Sequence, residues 1–167
     1  MKVLVIGGVA AGPKAASKIV RLRPDAEVTL LQKDEFLSYA GCGLPYYVSG
    51  EVAEQKELMA TPVGVVRDPA FCEKVKGFRV HNRTEAVEID RDKQRVRARD
   101  LTTGEESWYQ YDALVLATGA TPFVPPIPGV DAEGVHTLHS IHDAERVKTL
   151  IDRHGARDVV VIGGGLI

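Results

Sequence analysis

Apolar runs, a glycine turn and an amphipathic stretch follow one another at the start of the chain, and together they predict a strand, a helix and a second strand. Residues 3–6 form an uninterrupted apolar run, typical of a parallel strand that is buried on both faces. A glycine-rich turn follows at residues 7–12. An amphipathic helix comes next, with Pro13 in its first turn and its end before Pro24. Residues 27–31 supply the second strand, so the chain opens with a βαβ unit.

The middle of the chain predicts a different kind of sheet. Polar and apolar residues alternate between positions 78 and 111, and turn-forming residues at 90–93 and 102–104 divide this region into an antiparallel β-meander. Residues 112–118 have the pattern of another buried parallel strand, and residues 143–153 that of an amphipathic helix. We therefore expect an α/β fold with a central parallel sheet and an inserted antiparallel meander.

The last residues repeat the opening pattern. An apolar run at 159–162 is followed by glycines at 163–165, just as the first strand is followed by its glycine turn. We predict that residues 1–155 form one domain and that residues 156–167 are the first strand and glycine turn of a second dinucleotide-binding unit. We expect this second unit to be truncated, because its helix would follow Ile167.

The first glycine turn has the spacing of a dinucleotide-binding fingerprint, with the sequence Gly7-Gly8-Val9-Ala10-Ala11-Gly12. Val9 replaces the middle glycine, which normally lets the backbone approach a pyrophosphate closely. Gln32 ends the second strand at the position where an acidic residue would bind a ribose hydroxyl, and its uncharged amide predicts a weaker contact. A βαβ unit with a tight turn and no ligand is the alternative interpretation.

Charge and composition exclude several classes of function. Lys and Arg number 21 against 23 Asp and Glu, which leaves a net charge of −2 without a long run of like charge. We therefore expect contact with neither nucleic acid nor an anionic membrane surface. The hydrophobic fraction of 44% is that of a folded globular domain, and no segment approaches the roughly 18 apolar residues of a membrane span. The chain has two cysteines and an apolar strand in place of a signal peptide, so we expect a cytoplasmic protein.

The two cysteines have different surroundings. Cys42 lies within residues 38–47, where small residues precede it and a rigid aromatic segment follows. Near a helix N-terminus, the helix dipole would stabilise its thiolate and make it a nucleophile; a small buried hydrophobe is the alternative. We expect Cys72 to pack inside the protein. A disulfide between the two is not expected in a reducing compartment.

Three histidines recur at every third position, His136, His139 and His142, yet we predict no metal site. No cysteine or clustered carboxylate completes a coordination shell in the sequence around them. Ser140 and Asp143 are expected instead to cap the helix that begins there.

Three motifs in order give the chain a family resemblance. The glycine turn at 7–12, the cysteine block at 38–47 and the strand with its turn at 111–120 resemble the single-cysteine pyridine nucleotide-disulfide oxidoreductases. That group includes coenzyme A disulfide reductases, NADH-dependent persulfide reductases, NADH oxidases and NADH peroxidases. The likeness covers essentially the whole chain and implies a three-layer, Rossmann-like FAD-binding domain. It also implies that Cys42 is the redox-active cysteine and that NAD(P)H is the co-substrate of the full-length protein.

The resemblance further implies which residues contact the cofactor and the substrate. Residues that match the FAD-binding positions are Gly7, Gly8, Ala10, Ala11, Gly12, Gln32, Lys33, Ala86, Thr118 and Gly119. In the coenzyme A branch, the matching substrate positions are Lys14, Lys18, Arg21 and Ser38. Lys18 and Arg21 can share one helix face toward anionic phosphates, although a solvated basic face explains them equally well. Gly41 stands where the coenzyme A enzymes often carry Asn.

The resemblance implies an NAD(P)H-dependent flavoprotein that reduces coenzyme A disulfide or a related persulfide through Cys42. One alternative is an NADH oxidase or peroxidase, in which this cysteine cycles through a sulfenic acid. Another is a flavin-free, catalytically silent α/β fragment that associates through its terminal strand at 159–162. We expect the chain alone to be inactive with NAD(P)H and the full-length protein to be a homodimer.

Overall fold

The computed structural model describes residues 1–164 and contains a four-stranded parallel sheet. Its strands are β1 (Lys2–Ile6), β2 (Glu27–Leu31), β3 (Arg79–His81) and β7 (Ala113–Leu116), in the spatial order β3-β2-β1-β7. Every neighbouring pair runs parallel. The chain therefore reverses its direction of winding at β1, which places a topological switch point between β1 and β7.

The alternation of side chains along β1 divides the core into two layers. Val3 and Val5 face helix α1 (Ala11–Leu22) and pack in a cluster that includes Ala16. Leu4 and Ile6 point to the opposite face of the sheet and pack with buried residues of the meander. Burial of each large side chain contributes about 1.5–3 kcal/mol, so the uninterrupted apolar run is explained by a sheet covered on both faces.

The meander forms a second, three-stranded antiparallel sheet from β4 (Thr84–Asp90), β5 (Arg95–Asp100) and β6 (Glu106–Gln110). Val96 and Ala98 of β5 are buried and pack into the core beneath this sheet. Its outer face carries a ladder of charged residues and Trp108, over which the guanidinium of Arg95 lies 3.9 Å from the ring centre. The helix layer, the parallel sheet and the meander confirm the three-layer α/β fold.

A third cluster joins the helices that follow the cysteine block to the last helix. Helix α2 (Leu44–Ser49) packs against α4 (Ile141–His154), with Leu58 of a 3₁₀ turn at Gln55–Met59 in the same cluster. A capping box between Ser140 and Asp143 starts α4, as the sequence predicts. The short helix α3 (Pro69–Phe71) was not predicted, because its single turn runs into a π-helical turn at Cys72–Lys76 and leaves too few residues for a periodic pattern. No helix in the described part of the chain is long and apolar enough to cross a membrane.

The strand expected at residues 159–162 is not formed. These four side chains are 66–89% exposed, and the segment pairs with no strand among residues 1–164. An extended apolar run becomes a strand only where a neighbour accepts and donates its backbone hydrogen bonds, and this segment has none there. The end of the second glycine cluster, residues 165–167, lies outside the described residues. The domain boundary at residue 155 stays a prediction.

Candidate functional site

The first glycine turn lies at the carboxyl end of β1 and packs directly against the end of β7. Gly7 has φ +110°, and a Cβ built on it would lie 2.0 Å from the backbone oxygen of Ala117. A Cβ on Gly12 would lie 1.8 Å from the carbonyl oxygen of Gly7. Both glycines are therefore required by close backbone packing, which explains the outer positions of the fingerprint.

The N-terminus of α1 has backbone donors that no side chain caps. Ala10 occupies the N-cap position and contributes no side-chain hydrogen bond, and the first turn contains no acidic residue. Ala10 and Ala11 are exposed and small. The N–H groups at this end and the positive end of the helix dipole can bind an anion such as a pyrophosphate.

Thr118 and Gly119 follow β7 beside this turn. The backbone nitrogen of Thr118 lies 3.1 Å from the position that a Cβ on Gly7 would take. Both residues are exposed, and Gly119 has φ +72° with open space where its Cβ would point. The two loops thus meet outside the carboxyl ends of β1 and β7, at the switch point where nucleotides bind in folds of this type.

The side chain of Gln32 lies between the glycine turn and the following loop. Its Oε1 accepts a hydrogen bond of 2.9 Å from the N–H of Gly8, and its Nε2 donates one of 2.8 Å to the carbonyl oxygen of Phe36. Only 6% of the residue is exposed. The ribose contact expected of Gln32 stays a prediction, and these two hydrogen bonds compete with it.

Lys33 and Ala86 lie where β2 approaches the meander. The Nζ of Lys33 forms an ion pair of 2.8 Å with Glu85, the residue before Ala86 in β4. The lysine side chain is 70% exposed, whereas Ala86 is half-buried against the core. The structure therefore brings both predicted cofactor-binding residues to one side of the parallel sheet's carboxyl edge.

Cys42 is exposed, in a 3₁₀ turn at Gly41–Gly43 that leads directly into α2. This turn is anchored by Leu58, whose carbonyl oxygen accepts a 2.9 Å hydrogen bond from the N–H of Ala40. A Cβ on Gly43 would lie 2.7 Å from Cδ2 of Leu58, so a larger residue here would displace the end of that side chain. The thiol is therefore accessible although the backbone around it is fixed.

Cys72 contrasts with Cys42 in each of these respects. It is buried in the core cluster beneath α1, and it forms no disulfide. Burial, with a smaller contribution from the negative charge of Asp68, raises the pKa of its thiol from 9.0 to about 11. The expectation that Cys72 packs inside is confirmed, and Cys42 is the cysteine whose thiol can meet a substrate.

The segment that leads to Cys42 is held against the glycine turn through Ser38. Its N–H donates a 2.8 Å hydrogen bond to the carbonyl oxygen of Gly8, and its backbone has a left-handed φ of 53°. Arg67 Nη1 donates to the carbonyl oxygen of Ser38 at 3.3 Å. Sequence reasoning missed Arg67, because no motif marks it and the contact spans 29 positions along the chain.

The candidate substrate residues of α1 point away from the core. Lys14, Lys18 and Arg21 are all exposed, on the side of the helix opposite to the buried residues Pro13 and Ala16. Their spacing of four and three places them on one helical face. None of the three forms an ion pair with another of residues 1–164, so their charges are available to an anion.

His142 pairs with a carboxylate at the end of β2. Its Nε2 lies 3.0 Å from both carboxylate oxygens of Asp34, and its ring packs against Phe36. Glu35 brings a further carboxylate within 4.8 Å, but its side chain is engaged by Arg83. The hydrogen bond between His142 and Asp34 ties α4 to the loop after β2, and the prediction of no metal site stays a prediction.

Comparison with known proteins identifies the family. A family model described as pyridine nucleotide-disulphide oxidoreductase matches residues 1–167. The chain is 40% identical over 165 residues to the NAD(P)H sulfur oxidoreductase (CoA-dependent) of Pyrococcus abyssi, covering 99% of this chain and 34% of that protein. It is 34% identical over 166 residues to the coenzyme A disulfide reductase of Staphylococcus haemolyticus, covering 99% of this chain and 36% of that protein.

A solved structure of similar fold is the NAD-dependent persulfide reductase from A. fulgidus, with a TM-score of 0.84 and 48% identity. The match covers 88% of this chain and 27% of that one. The chain thus spans about a third of the length of the curated relatives it matches. Its parallel sheet, glycine turn and meander are the FAD-binding Rossmann-like domain of such enzymes. The chain belongs to the pyridine nucleotide-disulphide oxidoreductase family.

Proposed function

We propose that this chain supplies the FAD-binding site and the redox-active cysteine of an NAD(P)H-dependent enzyme that reduces coenzyme A disulfide or a related persulfide. The observation that carries the proposal is the position of Cys42: an exposed thiol on a segment that is hydrogen-bonded to the glycine turn through Ser38 and Gly8. The names of the relatives, a CoA-dependent sulfur oxidoreductase and a coenzyme A disulfide reductase, support this class of substrate.

The residues at the carboxyl edge of the parallel sheet fit a flavin dinucleotide. Gly7 and Gly12 leave no room for a side chain, and the uncapped N-terminus of α1 offers donors to a pyrophosphate. Thr118 and Gly119 flank the same crevice, with Lys33 and Ala86 on its meander side. Bound FAD would supply the two electrons, taken from NAD(P)H, that a disulfide needs for reduction.

Cys42 performs the sulfur chemistry in this proposal. Its thiolate attacks one sulfur of the substrate disulfide, so that a new S–S bond forms to Cys42 and the old S–S bond breaks, releasing the other half as a thiolate. Two electrons and one proton then cleave the mixed disulfide, which returns the Cys42 thiolate and releases the second half as a thiol. Once the thiolate released in the first step takes up a proton, the overall reaction has consumed one NAD(P)H and one proton per disulfide and released two thiols.

The basic face of α1 would bind the phosphates of coenzyme A. Lys14, Lys18 and Arg21 present three cations without ion-pair partners in the described chain, and coenzyme A carries its negative charge on its phosphates. Ser38 lies between this helix's glycine turn and Cys42, because its N–H is bonded to Gly8. The proposal also includes a homodimer of the full-length protein.

The test compares substrates and cysteine variants in the full-length protein. Coenzyme A disulfide, hydrogen peroxide and oxygen are supplied separately with NAD(P)H, and turnover is expected with the disulfide. Cys42→Ser should abolish that turnover while the purified protein keeps its yellow flavin colour, and the matched control Cys72→Ala should remain active. Turnover with peroxide or oxygen alone would contradict the substrate assignment and favour an oxidase or peroxidase. A colourless protein would favour a flavin-free module.

A further inference from the structure

Gln32 is the one buried side chain that bonds both to the glycine turn and to the loop leading to Cys42 among the contacts described above. Its Oε1 accepts from the N–H of Gly8 at 2.9 Å, and its Nε2 donates to the carbonyl oxygen of Phe36 at 2.8 Å. The orientation of the amide follows from its partners, because an N–H needs an acceptor and a carbonyl needs a donor. A Cβ on Gly8 would lie 2.9 Å from the Gln32 Cβ, so the side chain lies flat against the turn.

We propose that Gln32 is a positioning residue: its amide fixes the segment that carries Cys42 to the nucleotide-binding turn. The proposal rests on the function proposed above, since it concerns how the same cysteine is held. Gly8 is bonded to this segment through both of its backbone groups, because its carbonyl oxygen also accepts from the N–H of Ser38 at 2.8 Å. Phe36 is likewise fixed from both sides, since its N–H donates to Asp34 Oδ1 at 3.2 Å.

A carboxylate at position 32 could not make the same connection. It would still accept from the N–H of Gly8, but it has no hydrogen to donate and would face the carbonyl oxygen of Phe36. A protonated carboxyl group has both a donor and an acceptor and would restore the bridge. Gln32→Glu therefore makes the attachment of the loop depend on pH, whereas the wild-type amide does not titrate.

The first readout is hydrogen exchange at the N–H of Ser38, in the intact protein at pH 5 and pH 8. Gln32→Glu and Gln32→Met are compared with wild type at each pH, and Gln110→Glu, on the exposed end of β6, is the matched control. At pH 8 both Gln32 variants should exchange about tenfold faster than wild type, as expected for the loss of one buried hydrogen bond. Burial and the facing carbonyl oxygen of Phe36 raise the pKa of a carboxyl group at position 32 above its ordinary value. At pH 5 the Glu variant should therefore return toward wild type, and the Met variant should not.

Dividing each exchange rate by the wild-type rate at the same pH cancels the pH dependence that wild type and the variants share. This includes the effect of the charged groups near Gln32. These are Lys33 and Asp34 on its own loop, His81 of β3, Glu85 of β4 and His142 of α4. Equal exchange in wild type and Gln32→Glu at pH 8 would overturn the proposal. The proposal would also be overturned if Gln32→Glu bound FAD more tightly while the exchange rate of Ser38 stayed unchanged. Residue 32 would then contact the ribose of FAD and would not hold the loop.

The second readout is the kinetic effect on disulfide reduction at pH 8. The basic face of α1 is untouched by Gln32→Glu, so kcat should fall several-fold with KM unchanged, and Gln110→Glu should change neither. An unchanged kcat, or a change in KM alone, would contradict a positioning role for Gln32. Hydrogen exchange needs no turnover, so a protein that proves inactive with coenzyme A disulfide still tests the bridge. Failure of the proposed function and failure of this inference are therefore distinguishable.

Discussion

The contact between Gly7 and Ala117, the residue after β7, predicts a large loss of stability when a methyl group is added at position 7. Gly7→Ala would place a Cβ 2.0 Å from the backbone oxygen of Ala117, and this backbone oxygen belongs to a loop fixed by the hydrogen bond from the N–H of Ala117 to Ile6. The φ of +110° adds a second cost, because alanine rarely adopts that conformation. Both costs fall on the turn that forms the candidate nucleotide site.

A comparison with a second glycine separates the loss of stability into backbone strain and steric overlap. Gly104, in the turn between β5 and β6, has φ +78° with no atom within 4 Å of its Cβ position, so Gly104→Ala measures backbone strain alone, about 1–2 kcal/mol. Overpacking a rigid contact costs a further ~1–3 kcal/mol, so Gly7→Ala should lower the free energy of unfolding by about 2–5 kcal/mol. Urea unfolding followed by circular dichroism measures both values. If Gly7→Ala proved no more destabilising than Gly104→Ala, the close contact with Ala117 would be refuted.

Two further predictions concern the buried thiol of Cys72 and the contact between Asp34 and His142. Because burial raises the pKa of the Cys72 thiol from 9.0 to about 11, the unfolded chain loses this proton first as pH rises, so the free energy of unfolding should fall between pH 9 and about 11. Cys72→Ala should remove that part of the fall in pH-dependent denaturation; an unchanged profile would contradict the assignment. Asp34→Asn should cost up to about 1 kcal/mol in urea unfolding, because the amide oxygen is a weaker hydrogen-bond acceptor for His142 than the carboxylate. Asp25→Asn, which removes an exposed charge beside Arg23, should cost nothing measurable. Equal effects of the two substitutions would count against the tie between α4 and the loop after β2.

Local patterns predicted those parts of the fold in which neighbouring residues decide the outcome. The apolar run of β1 and the glycines of its turn identify a βαβ unit, and alternation through β5 identifies the meander, because each pattern records burial along a single element. The run at 159–162 has the same local pattern but forms no strand in the described chain. A strand depends on a partner, and periodicity does not reveal whether that partner is present.

The connections around the cysteine could not be predicted in the same way, since each joins residues far apart in the chain. Gln32 bonds to Gly8 across 24 positions, Arg67 to Ser38 across 29, and His142 to Asp34 across 108. An amide in place of an expected acid at position 32 was the one available signal. The sequence pattern favoured a weaker ribose contact, and only the geometry shows that this amide bridges two backbone groups.

These connections explain how the thiol of Cys42 can be exposed without belonging to a loose loop. The segment begins at Gln32 and Ser38, which bond to the glycine turn, and it ends in α2, where Leu44 and Tyr47 are buried against α4. Cys42 lies between these two attachments, so the backbone that carries it is fixed on one side by the glycine turn and on the other by α4. Thiol–disulfide exchange requires the attacking sulfur to align with the bond that it breaks, and a fixed backbone reduces the entropy lost in reaching that alignment. The same turn would hold the cofactor, so binding of the nucleotide and placement of the sulfur depend on one set of hydrogen bonds.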